Sequence, residues 1–401
     1  MKKRLLLVLI VVTLTVWSLF IAGCSQSQSK TEAKQKTLDI GALVSLTGWM
    51  APGETPSYEG MQLAVDWIND NGGININGET LKITLVAEDS KSSPEGAMAA
   101  ATKLVEEKKI KFIAGGVNTQ MNIAANTVTS PAGVLRVGQY ICLNPDELGP
   151  RTPLTFTSIS LYQGMKASMQ YLKEKYPNVK KVAIIHPADG GNVDRMRYFE
   201  PLAKENGLEV VFSGEWAGET VDFTPIVARA LATNPDVIAF SDGWPYHLGT
   251  MTKVARTLGF KGVIYGSNVT SAEEIVEYSG AEEAEGFFVF GLDTNYPNMP
   301  PIIAELVNRG TAKFGKTDSL HLWGWHTVWS LVQGIEAAQS LDPAVVAKKM
   351  QAMPIETLWG TGTMGGNKTF GMNNVVNAPT PIFEVRNGKP EFVKFIHLPI
   401  E

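Results

Sequence analysis

The sequence predicts an α/β protein made of two doubly wound parallel-sheet lobes in series, and three observations carry that prediction. Short β-rich runs alternate with helical patterns from Leu38 almost to the C-terminus. Strands that recur with helices between them imply parallel sheets covered on both faces. They are also too numerous for one small sheet. The 401 residues, 44% of them hydrophobic, suffice for two cores of ordinary size.

Taken in order, "TLDIGALVSL" predicts a first strand, and "SYEGMQLAVDWINDN" a helix with Met61, Ala64, Val65 and Ile68 at helical spacing. "LKITLVAED" has the alternation of a strand. "SPEGAMAAATKLVEEKK" predicts a helix opened by Ser93 as cap and Pro94 at its first position. "IKFIAGG" and "GVLRVG" are short strands with a helical segment between them. "VKKVAIIHP", "LEVVFSGEW", "DVIAFSDG" and "KGVIYGSN" continue the series. From residue 288 the pattern loosens: "MPPIIAELVNRGTAKFG" and "LWGWHTVWSLVQGIEAAQS" are helical, and a Gly-rich stretch precedes a final strand, "PIFEVRNGK". The late helices are expected to return to the first lobe.

The N-terminus has a different chemistry. Met1-Lys2-Lys3-Arg4 is basic, and the apolar run Leu5 to Ala22 is diluted by Thr13, Thr15 and Ser18 and closes on small residues. It therefore reads as a secretion signal rather than a spanning helix. Ile21-Ala22-Gly23-Cys24 resembles the lipobox of bacterial lipoproteins, which implies cleavage before Cys24 and attachment of lipid to its thiol. The expectation is a signal peptide over residues 1–23, a flexible tether over 24–37, and a protein held at the outer or periplasmic face of the cell membrane. With Cys24 acylated, Cys142 has no intrachain partner, so stability must come from the core. Loss of the signal moves the formal charge from −5 to −8, and no basic block remains to receive nucleic acid.

Two motifs mislead. Gly310-Thr311-Ala312-Lys313-Phe314-Gly315-Lys316-Thr317 matches the phosphate-loop pattern, but a helical pattern precedes it where that loop needs a strand. Gly360-Thr361-Gly362-Thr363-Met364-Gly365 spells G-x-G-x-x-G, yet no helix pattern follows to face a pyrophosphate. His186, His247, His321, His326 and His397 lack metal-ligand spacing, and there is no G-x-S-x-G elbow. Nothing in the sequence asks for an enzyme, a metal or a cofactor.

The strand ends are more informative, because open parallel sheets bind ligands beyond the carboxyl ends of their strands. Those ends read "SLTGWMAPGE", "AGGVNTQ", "GQYICLNP", "HPADGGN", "SDGWPYH" and "GSNVTS". Each joins glycine, which lets backbone approach a ligand, to polar or aromatic side chains, among them Trp49, Tyr140, Trp244 and Tyr246. Together they predict a binding cleft. Trp323, Trp325 and Trp329 lie at helical spacing with His326 and read as core or lobe-interface packing, with Trp325 or His326 able to line the cleft wall.

The same loops resemble the leucine/isoleucine/valine-binding proteins. The shared features begin with the Thr47-Gly48 turn, Ile68-Asn69 with Gly72-Gly73-Ile74, and the Glu88-Asp89 strand end. Further matches are Asn144-Pro145 with Glu147-Leu148, "KKVAIIH", "SDGWPYHLGTM" and "AEGFFVF". The resemblance, from about residue 38 onward, implies a type I solute-binding fold of two lobes joined by three crossovers. Lobe 1 is expected over 38–157 plus 288–360, and lobe 2 over 158–287 plus 361–401. It also implies a monomer that captures a small ligand by closure and delivers it to the transmembrane subunits of an ABC permease, or, alternatively, signals to a membrane partner.

Position by position, the resemblance assigns ligand contacts to Asn118 and Thr119 after the third strand and to Gln139, Tyr140 and Cys142 in the next loop. It retains an aromatic as Trp244 and puts Asn268 where the family has an acid for the ligand's ammonium. Two family tyrosines fall on Gly53 and Gly191, and Trp49 is an added aromatic. Without that acid an ammonium would be costly to desolvate, unless Asp189 or Asp242 answers it. The expected ligand is therefore an amide, an aromatic carboxylate or a bulkier amino acid rather than valine.

Overall fold

Alternation of strand and helix is realised throughout a computed structural model that describes residues 36–139, 144–188 and 190–401. The chain begins β1 (Thr37–Val44), α1 (Ala51–Asp70), the hairpin β2 (Ile74–Ile76) and β3 (Glu79–Asp89), and α2 (Pro94–Thr102). There follow β4 (Phe112–Gly115), α3 (Thr119–Thr129), β5 (Leu135–Gly138) and β6 (Thr155–Thr157). It crosses to a second lobe for α4 (Leu161–Lys175), β7 (Lys181–Pro187), α5 (Asn192–Glu205), β8 (Glu209–Trp216) and α6 (Thr224–Leu231). The same lobe continues with β9 (Val237–Phe240), α7 (Pro245–Thr257), β10 (Val263–Thr270), α8 (Ala272–Ser279) and β11 (Phe288–Gly291). The chain returns for α9 (Pro301–Phe314), α10 (Ser319–Ala338), α11 (Pro343–Met350), β12 (Pro354–Thr357), β13 (Gly360–Gly365), α12 (Asn367–Phe370) and β14 (Val375–Asn377). A third crossing leads to β15 (Thr380–Arg386) and β16 (Lys389–Ile396).

The first sheet has nine strands in the order β12-β13-β14-β6-β5-β4-β1-β3-β2, and the second has seven, β16-β15-β11-β10-β9-β7-β8. Their centres are parallel: Gly41 pairs with both Val86 and Ile113, and Ile184 with Ala239. Central strands such as "FIAG", "VIAF" and "FVFG" are buried at every position, as two-sided cover requires. Helix starts follow their caps: Ser93 accepts from the Gly96 N–H, Ser160 from Gln163, and Asp318 from Leu320 and His321.

The pairing moves two expected boundaries. Residues 288–291 form β11 and belong to the second sheet, while 361–377 stay with the first through β13 and β14. The last crossover thus falls just before Thr380, because the Gly-rich stretch expected to open lobe 2 is instead an antiparallel strand. That strand is the G-x-G-x-x-G run; the phosphate-loop look-alike is the end of α9 with Gly315 as its left-handed cap. The expected signal and tether, apart from Lys36 and Thr37, lie outside the described residues. Among the described residues no helix is long and apolar enough to cross a membrane.

Candidate functional site

Strand order reverses at β1 in the first sheet, which lies between β3 and β4, and at β7 in the second, between β8 and β9. A crevice opens at such a switch point because consecutive crossover helices leave to opposite faces. The lining of an aromatic cleft comes from those places: Trp49 and Met50 after β1, Val117 and Asn118 after β4, Pro187 ending β7, Trp216 ending β8, and Asp242, Gly243 and Trp244 after β9. His247 on α7 and Trp323 on α10 complete it around about 430 Å³ of space partly continuous with solvent.

The Trp49 turn is held from beneath. Asp89 accepts from the Leu46 N–H at 2.9 Å and the Thr47 hydroxyl at 2.7 Å, and the Met50 N–H donates to Ser92 Oγ at 3.0 Å. Partial burial alone would raise the Asp89 carboxyl, but these donors hold it below the usual range. Trp49 then reaches the other lobe, where a β-carbon on Gly218 would lie 2.7 Å from its ring.

Trp244 makes the reciprocal reach. Pro245 opens α7, and the Trp244 N–H donates to His247 Nδ1 at 3.3 Å. That bond assigns the imidazole proton to Nε2. The imidazole packs 4.2 Å from Trp216 and 4.0 Å from Tyr246, centroid to centroid, and burial pushes its pKa down to about 3. It is a neutral ring within an aromatic cluster. The Trp244 indole lies on α1, where a β-carbon on Gly53 would sit 2.3 Å from it. Glycine at position 53 is thus what lets the second-lobe tryptophan in. Gly53→Ala is expected to hold the lobes apart, read as a larger radius of gyration in solution scattering. Unliganded melting should fall little, because alanine favours the helix by about 1 kcal/mol.

Of the residues singled out from sequence, Trp49, Asn118, Asp242 and Trp244 line the cleft. Asn118 also caps α3, accepting from the Met121 N–H at 3.2 Å. Thr119, Gln139 and Asn268 stand behind the wall. Gln139 is fully buried, donates to Ser57 Oγ, and through its carbonyl accepts from the Trp323 indole N–H at 2.8 Å. Asn268 Nδ2 donates to the Gly243 carbonyl at 2.8 Å and so braces the wall rather than facing the cleft. Thr119 is fully buried. Cys24, Tyr140, Cys142 and Asp189 lie outside the described residues.

On α10 it is Trp323 that meets the cleft, whereas Trp325 packs on Trp67 and Trp329 and His326 lies among Trp329 and Trp359. Sequence reasoning passed over Trp216 and His247 as lining residues; Trp216 sat in plain view at the end of a strand. Asp242 carries the remaining surprise. Its Oδ2 accepts from Arg195 at 2.7 Å, and its Oδ1 from the Gly243 N–H at 2.6 Å.

Two doubly wound lobes closing on an aromatic cleft at their switch points define a two-lobed solute-binding protein. The chain belongs to the periplasmic binding protein family, whose model matches residues 37–390, and is thereby extracytoplasmic. Among its relatives is the Leu/Ile/Val-binding protein of Escherichia coli (strain K12), 28% identical over 356 residues that make up 85% of this chain and 90% of that one. The leucine-binding protein of Thermotoga maritima has the same fold, with a TM-score of 0.72, 21% identity, and cover of 90% of this chain and 99% of that one. So does an ABC-transporter solute-binding protein of Rhodopseudomonas palustris BisB5 in complex with 3,4-dihydroxybenzoic acid, with a TM-score of 0.74, 18% identity, and cover of 91% and 98%. These relatives are substrate-binding proteins, and an enzymatic role is not among their functions.

Proposed function

We propose that the protein is the substrate-binding lipoprotein of an ABC importer, anchored through Cys24, and that its ligand is flatter than a branched-chain amino acid. The candidates are an amide, an aromatic carboxylate or a bulkier amino acid. The observation that carries this is the lining itself: four tryptophans, Trp49, Trp216, Trp244 and Trp323, converge on one cleft between lobes already in contact. Indole faces supply broad apolar area at small entropic cost, and they suit a planar guest better than a compact aliphatic one. The aromatic acid held by the Rhodopseudomonas relative supports the same reading.

Melting of the purified protein with leucine, isoleucine, phenylalanine, benzoate and benzamide tests it. A ligand at about 100 times its dissociation constant adds roughly 2.7 kcal/mol, an easily measured shift. The aromatic compounds are expected to give it and leucine is not; tight leucine binding would overturn the ligand class. Labelling with a clickable palmitate analogue, lost in Cys24→Ala, tests the anchor.

A further inference from the structure

Asp242 lines the cleft, and among the described lining residues it is the one carboxylate. An ammonium in a closed, tryptophan-walled site would need it, because an unpaired charge out of water is strongly disfavoured. The carboxylate is already engaged. Arg195, rising from the first turn of α5, has no solvent exposure and places its Nη2 2.7 Å from Asp242 Oδ2, while Asp242 keeps 16% side-chain exposure toward the cleft. The cation thus sits behind the acid, inside the lobe, and the acid sits between it and the ligand space. Asp194, next to Arg195, is occupied elsewhere, by Asn144 Nδ2 at 2.6 Å and Arg197 at 3.1 Å. The neutral His247 adds no charge to the wall.

We propose that Arg195 is a specificity-determining residue, supplying from within the lobe the cation that would otherwise come from the ligand, so that the cleft selects guests lacking an ammonium. The inference rests on the reading of the cleft as an aromatic ligand site and narrows it to the amide and aromatic carboxylate members. Its physical basis is pairing. A carboxylate bonded to a buried guanidinium and a backbone N–H gains little from a second cation, and the second cation must still give up its water.

The test uses two probes that differ only by the ammonium, 3-phenylpropionate and phenylalanine, titrated calorimetrically into the purified protein. Wild type is expected to bind 3-phenylpropionate at least about tenfold more tightly. Arg195→Met removes the buried cation bonded to Asp242 and should narrow or invert that ratio by about tenfold or more, with phenylalanine restoring part of the variant's lowered melting temperature. The double variant Arg195→Met/Asp242→Asn removes both charges, avoids stranding either, and is expected to keep the wild-type preference.

An unchanged ratio in Arg195→Met overturns the proposal. So does a selective loss of phenylalanine binding in the double variant, which would show Asp242 reading the ammonium; this arm decides even where the single variant does not fold. Equal wild-type affinity for both probes also overturns it. If wild type binds neither probe, the aromatic reading of the site fails and the inference falls with it, an outcome distinct from binding without discrimination.

Discussion

Gly324→Ala is expected to abolish most folded protein, and Gly60→Ala to do nearly the same. The α1 and α10 helices cross backbone to backbone at these two residues. A β-carbon on Gly324 would lie 1.8 Å from the Ser57 carbonyl oxygen, and one on Gly60 would lie 1.9 Å from that of His321. Overpacking a core against side chains commonly costs about 1–3 kcal/mol, because rotamers give way. Here the obstruction is main chain, so two whole helices must part. That separation would strip buried area from Met61, Ala64, Trp325 and Val328 and shift Trp323 from the cleft. Soluble yield and circular-dichroism melting of the two variants, against wild type, measure it.

Stability is expected to plateau near pH 4.5–6.5 and to fall on both sides. Burial, then the nearby Asp318 charge, pushes Glu274 up to about 8, and burial above all pushes Glu54 up to about 7 from 4.5. Between 4.5 and those values the folded protein holds protons that the unfolded chain releases, so stability declines as pH rises, by up to about 1.4 kcal/mol per pH unit for each group. Burial lowers His247 and His326 to about 3 from 6.5, so below 6.5 the unfolded chain takes up protons that the folded protein refuses. Stability on that side declines as pH falls. The two slopes oppose one another between 4.5 and 6.5; above, the glutamates act alone, and below, the histidines. Urea midpoints from pH 4 to 9 should trace this shape, and Glu274→Gln should flatten the alkaline limb. An alkaline limb unchanged in that variant would show the group to be ordinary. Glu274 also joins the lobes, its Oε2 accepting from the Ser319 N–H at 3.2 Å, so the limb should appear in closure as well as in melting.

The alternation of apolar strands and amphipathic helices made both lobes legible, because a two-sided parallel sheet has to write its strands as unbroken hydrophobic runs. Trp49, Asn118, Asp242 and Trp244 were legible for a related reason: they sit where strands end and glycine clears the approach. What escaped was set by packing across the chain. Arg195 lies in "DRMRYFE", which reads as a solvated helix face, and only the fold brings it against Asp242, 47 residues on. The resemblance puts ligand contacts at Gln139 and Asn268, and only the fold shows their amide nitrogens bonded to Ser57 and the Gly243 carbonyl. The residue facing the cleft from "LWGWHTVW" depended on helix rotation, which spacing alone leaves open: Trp325 or His326 was expected and Trp323 lines it. The misplaced final boundary has a similar origin, since a glycine-rich strand lacks the β-branched signature that marks its neighbours.

The interleaving of the two sheets bears on how the molecule can be made. Lobe 1 takes β12 to β14 from residues 354–377, and lobe 2 takes its last two strands from 380–396. Neither sheet can be completed while the chain is still emerging: the first waits for Val375 to pair with Thr157 and the second for Glu384 to pair with Phe288. Such long-range closure is slow compared with local helix formation. Both lobes therefore finish together, only once residues 354–396 are in place.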